Sequence, residues 1–310
     1  MFDAQHLELW GFFWVVVLAL LALDLAVFNR KAHQVSIREA AIWSLVWVGL
    51  SLIFGGAVWW LLGKEPALEY LTGYVIEKTL SVDNLFVFLM IFRYFRVEPR
   101  YQHRVLYWGV IGAIVLRTLM IVAGAVLVSR FEWLLYIFGA FLIYTGIKFA
   151  LDKGAEVDPQ HNVAVRLARR IFPLTPQFHG QHFFVKLDGR RLATPMLLVL
   201  VTVEFSDVLF AVDSIPAIFG ITQDAFIILT SNIFAILGLR ALYFLLAGIM
   251  DKFIYLQKGL AGVLTFIGVK MLIAHWVHVS TEVSLGVVAG ILATAIVASA
   301  LTNKKENPKR

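Results

Sequence analysis

The chain has 310 residues, of which 60% are hydrophobic and 15% are charged, and its mean hydropathy is +0.81. A soluble domain carries roughly 25% charged residues, so this composition excludes an ordinary soluble protein and indicates one that lies in lipid. The net charge of +6 does not indicate nucleic-acid binding, because membrane proteins collect basic residues in cytoplasmic loops. The absence of cysteine excludes disulfides, thiolate metal sites and thiol redox chemistry.

Apolar runs long enough to cross a bilayer recur along the chain and predict about nine transmembrane helices. The predicted spans are 7–28, 40–62, 67–92, 105–128, 131–151, 192–219, 224–250, 253–276 and 283–301. The expected fold class is all-α, with a single transmembrane domain over 1–301, a cytoplasmic loop at 152–191 and a cytoplasmic tail at 302–310. Inside that loop, Asp188-Gly189 is a two-residue turn signal and predicts a β-hairpin.

Basic residues fall in alternate connections between the predicted spans. They are Arg30, Lys31, Arg38, Arg93, Arg96, Arg100, Arg104, Arg166, Arg169, Arg170, Lys186, Arg190, Arg191, Lys252, Lys258, Lys304, Lys305, Lys309 and Arg310. The remaining loops carry little positive charge. The positive-inside rule therefore predicts an outside N-terminus and a cytoplasmic C-terminus, which requires an odd number of spans.

Spans three to five (67–151) resemble spans six to eight (192–276). The matching positions are Asp83 with Asp207, Arg117 with Arg240, Gly124 with Gly248, and Gly146 with Gly268. The loop charges give the two segments opposite orientations, an arrangement common in secondary transporters, whose sites lie at the repeat interface near mid-membrane. Shared helix-packing composition is the alternative explanation for the similarity.

Two acidic stretches, 77–86 and 204–216, lie inside predicted spans. An ionised acid at the bilayer centre costs about 2.5–3.5 kcal/mol on insertion scales, which indicates that these acids bind something. Glu204 and Asp207 are three residues apart and share one helix face. Asp213 would lie far round a straight helix, so we expect Pro216 to break this helix and let Asp213 turn inward.

All candidate ligands in these stretches carry oxygen, which suits Mg²⁺, Ca²⁺ or Mn²⁺ and disfavours Zn²⁺ and copper. The candidate metal ligands are Asp83, Asp207, Glu77, Glu204, Asn84, Asp213, Ser206 and Asn232, with Arg117 and Arg240 as supporting residues. A purely structural ion-pair network is the alternative. The acids outnumber the mid-span arginines, however, and this surplus favours a divalent cation or protons as the bound species. We find no nucleophile–base arrangement, and predict neither an enzyme nor a resident cofactor.

The sequence resembles the TerC family of integral membrane proteins, and within it the Alx branch. The residues that carry the resemblance are the runs 77–84, 204–216 and 231–240, and it extends over nearly the whole chain. The family is similar to the LysE-type exporters, and its members are linked to manganese export, tellurite resistance and redox modulation. The resemblance therefore implies Mn²⁺ export across the bacterial inner membrane, a choice of metal that ligand chemistry alone leaves open.

We accordingly expect a secondary transporter that binds Mn²⁺ between two halves and is driven by protons. A transporter of Ca²⁺, Mg²⁺ or a small organic cation is one alternative. A non-transporting membrane component of a tellurite or redox stress response is another.

Overall fold

The computed structural model describes residues 4–28, 36–131, 133–151, 173–187, 189–247, 255–277 and 279–306. The helices are α1 (Ala4–Phe28), α2 (Ile37–Leu62), α3 (Lys64–Tyr94), α4 (Pro99–Arg130), α5 (Leu134–Leu151), α6 (Pro195–Phe219), α7 (Ala225–Leu237), α8 (Leu239–Ala247), α9 (Leu256–Ile273) and α10 (Thr281–Glu306). The strands β1 (Phe184–Leu187) and β2 (Arg190–Ala193) lie between α5 and α6. Residues Met1–Val35, which include α1, form one compact unit, and Ser36–Arg310 form a second.

Every predicted span overlaps a helix or, in one case, a bent pair of helices. Within the described residues, six helices are long and apolar enough to cross a membrane, or seven if the pair α7 and α8 forms one span. α3 is 31 residues long but includes the charged Glu77, Lys78 and Asp83, and the part of α1 whose side chains are described is a short apolar stretch, Glu8–Leu23. The protein is thus an α-helical polytopic membrane protein, whereas nine spans and the orientation of the termini stay predictions.

Helices of the first predicted repeat pack against helices of the second. α3 packs against α7, α4 against α6, and α5 against α9. The backbones of α5 and α9 approach closely at Gly139 and Gly268, since a Cβ on Gly268 would lie 2.6 Å from the Gly139 carbonyl oxygen. Small residues allow this close approach of helices in membranes. The contact surface between the two segments therefore runs through the interior of the second unit.

The expected helix break at Pro216 is wrong, because α6 continues through this residue to Phe219. Pro216 lies only one turn from the helix end, so the hydrogen bond that it removes leaves the longer N-terminal part of α6 intact. The break lies instead at Gly238, between α7 and α8, whose axes differ by 44°. A Cβ at Gly238 would lie 2.8 Å from Lys78 Nζ and 2.9 Å from Trp47 Cβ, so the close packing here requires glycine.

The predicted hairpin is confirmed. β1 and β2 pair antiparallel, from Phe184 opposite Ala193 to Leu187 opposite Arg190, and Gly189 takes a positive φ of 77° in the turn. Asp188 itself, residues 152–172 of the predicted loop and residues 307–310 of the predicted tail lie outside the described residues.

Candidate cation site

Arg117 lies at the centre of a buried polar cluster. It projects from α4 and has no solvent-exposed side-chain surface. Its Nε donates to Asp207 Oδ2 at 3.0 Å, and its Nη2 donates to Asp207 Oδ1 at 2.9 Å. This is the two-bond geometry that makes arginine–carboxylate pairs both strong and directional. Nη1 donates to a second carboxylate, that of Glu77 on α3.

Asn232 on α7 connects the two sides of the cluster. Its Oδ1 accepts from Arg117 Nη1 at 3.2 Å, and its Nδ2 donates to Glu77 Oε2 at 3.1 Å. Ser214 lies at the outer limit of hydrogen bonding, with its Oγ 3.5 Å from Arg117 Nη1. Both functional ends of the Asn232 amide are therefore used, and Glu77 is held by α4 and α7 together.

The cluster joins four helices, α3, α4, α6 and α7, each of which contributes one side chain. Glu77 and Arg117 belong to the first predicted repeat, whereas Asp207 and Asn232 belong to the second. All four side chains are buried. Arg117 was predicted to support the acids, and it lies between two of them, Glu77 and Asp207.

Glu204 lies one turn from Asp207 on α6 and is half-buried. Its carboxylate packs directly over Gly112 of α4, where a Cβ would overlap it. Its Oε2 is buried and makes no hydrogen bond to any described residue. A buried carboxylate oxygen without a donor is costly, so this group is suited to bind a water molecule, a proton or a cation.

Asp213 is not part of the Arg117 cluster as the structure describes it. It is half-buried against α5, where Thr145 Oγ1 donates to its Oδ1 at 3.2 Å, and Lys148 lies close enough to act on it electrostatically. The expected inward turn of Asp213 is wrong, because α6 stays helical and keeps this residue on the face that packs against α5.

The other predicted ligands have different surroundings. Ser206 is buried and donates to the Thr202 carbonyl of its own helix at 2.8 Å, and Asn84 is buried on α3. The side chain of Asp83 lies outside the described residues, although its backbone belongs to α3. Arg240 is buried and, together with Asp207, lines a cavity of about 10 Å³ between α3, α4, α6 and α8. That volume holds one water molecule at most.

Lys78 has a role that was not predicted from the sequence. Its Nζ donates to the Ala235 carbonyl at 3.0 Å, in the last turn of α7. A cation at this position satisfies a carbonyl left free by the break and opposes the negative end of the helix dipole. The signal that could have revealed it is a lysine next to Glu77 in the middle of a long helix, without an obvious route to water.

The Arg117 guanidinium is shared by two carboxylates, and two more cations lie nearby, Arg240 beside Asp207 and Lys78 next to Glu77. No group of three or more acidic or histidine side chains suited to a metal ion occurs among the described residues, which do not include the side chain of Asp83. In this arrangement Arg117 occupies the position between the acids that a cation would take.

Comparison with known proteins identifies the family. The sequence profile described as "Integral membrane protein TerC family" matches residues 62–307. The chain belongs to the TerC family. It is 55% identical over 296 residues to an uncharacterized membrane protein of Myxococcus xanthus. The aligned region covers 96% of this chain and 93% of that protein. No solved structure matches the chain.

Two relatives share the name "Putative membrane-bound redox modulator Alx". The Salmonella typhi protein is 54% identical over 310 residues, and the match covers 97% of this chain and 96% of that protein. The Escherichia coli K12 protein is 52% identical over 311 residues, and the match covers 97% of both chains. The predicted family is therefore confirmed. The TerC match begins at the end of α2 and includes the whole Arg117 cluster, whereas α1 precedes it.

Proposed function

We propose that this TerC family protein is a secondary transporter that exports Mn²⁺ across the bacterial inner membrane, driven by protons. The observation that supports it best is the buried cluster of Glu77, Arg117 and Asp207, which joins the two predicted repeats inside a membrane protein. A site at the interface of inverted repeats is where secondary transporters bind their substrates.

The sharing of one guanidinium by two carboxylates favours a transported cation over a purely structural network. A buried ion pair is by itself weak evidence for function, because its desolvation can exceed its Coulombic gain. Here a second buried carboxylate shares one arginine, and the buried Oε2 of Glu204 lacks a donor among the described residues. A divalent cation would bind these carboxylates in place of the shared guanidinium.

Mn²⁺ is the substrate that the TerC resemblance implies, and the side chains are compatible with it. The proposed ligands are Asp207 and Glu77, helped by Asn232 and, from the sequence repeat, by Asp83 and Asn84. All of them offer carboxylate or amide oxygens, which suit Mn²⁺ as well as Mg²⁺ and Ca²⁺. We propose no enzymatic activity and no resident cofactor.

Arg117 gives this site a mechanism for release. In the metal-free state its guanidinium pairs with both Asp207 and Glu77, so neither buried carboxylate lacks a partner. An entering cation displaces the guanidinium and takes over both carboxylates. When the two predicted repeats rock against one another, Arg117 returns to the acids and favours release on the other side.

The test is Mn²⁺ flux in proteoliposomes that contain only the purified protein. We expect an imposed pH gradient to drive Mn²⁺ flux in wild type. In Asp207→Asn and Glu77→Gln we expect the Mn²⁺ flux to fall to that of protein-free liposomes. The matched control is Glu98→Gln, which removes an exposed carboxylate that pairs with Arg100 at 2.7 Å. Equal flux in all four proteins would show that the cluster does not bind the substrate.

The same proteoliposomes distinguish two other functions from Mn²⁺ export. Competition by Ca²⁺, Mg²⁺ or a small organic cation identifies a different substrate. A second candidate is a membrane component of a redox or tellurite stress response that does not transport; the name of the Alx relatives, a redox modulator, favours its redox part, and the TerC resemblance its tellurite part. Flux in liposomes without any partner protein would decide against it.

A further inference from the structure

A second and much larger cavity lies at the ends of α3, α6 and α9. Its volume is about 250 Å³, which leaves room for several water molecules. Its polar wall consists of Glu65, Thr222, Gln223 and Lys270. The proposed binding of the cation by the Arg117 cluster does not use this cavity.

A half-buried acid, Glu69, lies beside Thr222 of the cavity wall. Glu69 is four residues after Glu65 on α3, so both occupy one face of that helix. It lies within electrostatic range of Glu65, Asp224 and Lys270. Three carboxylates thus act on this region against one lysine ammonium, which gives it an excess of negative charge.

An apolar layer separates this cavity from the cation site. Ile221 and Met271 line the cavity and belong to a buried cluster that also contains Ile76, Ala217 and Ile267. Ile76 directly precedes Glu77, so the layer extends from the cavity wall to the polar cluster. From Glu69 to Glu77 the distance along α3 is about 12 Å, at 1.5 Å per residue.

The layer is closed in this structure, and it is closed tightly at Gly220. A Cβ at Gly220 would lie 2.6 Å from Ile267 Cγ2 and 2.8 Å from Met271 Sδ. Hydrophobic constrictions of this kind block ions by excluding water. The absence of a side chain at Gly220 lets α9 pack directly on the end of α6.

The charges at the two ends of the helices indicate which side the cavity faces. The cavity lies next to Lys64 and Glu282, which pair at 3.2 Å, and to the acids already named. The opposite ends of α3 and α4 carry Arg93 and Arg100. The positive-inside rule therefore places the cavity on the outer side of the membrane.

We propose that the cavity beside Glu65 and Glu69 is the outer vestibule through which the divalent cation leaves, and that Ile76, Ile221, Ile267 and Met271 form its closed gate. This inference rests on the proposed function, since it supplies the exit path of the same site. The acids attract the hydrated cation, and Lys270 limits how long it stays.

The natural absence of cysteine makes a labelling test direct. Single variants Gln223→Cys, in the vestibule, and Ile76→Cys, in the gate, are treated in intact cells with a membrane-impermeant maleimide. We expect Gln223→Cys to be labelled at all times. We expect Ile76→Cys to be protected without Mn²⁺ and labelled faster when cells are loaded with Mn²⁺. Lys186→Cys, in the hairpin of the predicted cytoplasmic loop, is the control that stays unlabelled.

The outcomes separate the two proposals. Two outcomes would overturn the vestibule and gate but leave the proposed transport function standing, provided that the variant still transports Mn²⁺. One is protection of Gln223→Cys from the maleimide. The other is equal labelling of Ile76→Cys with and without Mn²⁺. Absence of Mn²⁺ flux in the wild type overturns the proposed function and with it the role of the vestibule. Ala217→Cys, in the same layer, repeats the test if Ile76→Cys does not fold.

Discussion

Arg117 and Asp207 are joined by two nearly equal hydrogen bonds of 3.0 and 2.9 Å, although they are 90 residues apart in the sequence. The pair connects α4 with α6, and therefore the first predicted repeat with the second. Because Glu77 contacts the same guanidinium, removal of either charge leaves the other groups of the cluster uncompensated in a buried position.

Arg117→Gln should destabilise the protein and increase its dependence on metal. Loss of one partner from a buried ion pair costs about 3–5 kcal/mol, because the remaining charges are left unpaired. If a cation can replace the guanidinium, Mn²⁺ will raise the melting temperature of this variant more than that of wild type. Thermal unfolding in detergent with and without Mn²⁺ measures this. Arg100→Gln is the control, and an equal Mn²⁺ response in all three proteins would argue against replacement.

Asn232→Ala should weaken the cluster without changing its charge. It removes the acceptor for Arg117 and the donor to Glu77, and an unsatisfied buried polar group costs about 1–3 kcal/mol. We expect a lower melting temperature and a weaker apparent affinity for Mn²⁺, measured by equilibrium dialysis. Ser206→Ala is a useful comparison, because the Ser206 hydroxyl is bonded to its own helix. If Ser206→Ala lost more affinity for Mn²⁺ than Asn232→Ala, Ser206 and not Asn232 would be the residue that supports the cation site.

Lys78→Met should disturb the bend between α7 and α8. The ammonium satisfies the Ala235 carbonyl, and a charge at a partly buried helix terminus contributes up to about 2 kcal/mol. We expect a lower melting temperature and slower Mn²⁺ flux, with partial recovery in Lys78→Arg, which retains the charge. If the methionine variant were as stable and active as wild type, the hydrogen bond would have no role in holding the bend.

Gly268→Ala should separate α5 from α9. Its Cβ would lie 2.6 Å from the Gly139 carbonyl oxygen and 3.0 Å from the Ile143 nitrogen, both backbone atoms that cannot rotate away. Overpacking of this kind costs about 1–3 kcal/mol. Gly286→Ala is the matched control, because nothing lies within 4 Å of a Cβ at that position. Equal melting temperatures for the two variants would show that the α5–α9 contact tolerates a methyl group.

Several features follow from the sequence alone. Low charge and long apolar runs determine a helical membrane protein, because only helices satisfy all backbone hydrogen bonds within one span. The Asp188-Gly189 turn determines the hairpin, since this dipeptide accepts the backbone angles of a two-residue loop. The acids within the apolar runs mark the helices that hold the candidate site, because lipid penalises charge at those positions.

The partners of these acids were decided only by the tertiary structure. Residue spacing shows which helix face carries Asp207 or Asp213, but it does not show which helix packs there. Asp207 meets Arg117 of the other predicted repeat, whereas Asp213 meets Thr145 on α5. The position of the bend was likewise set by packing: Lys78 and Trp47 fill the space at Gly238, while α6 extends through Pro216. Contacts between distant segments depend on how whole helices fit together, and this information is not contained in the local pattern of any one of them.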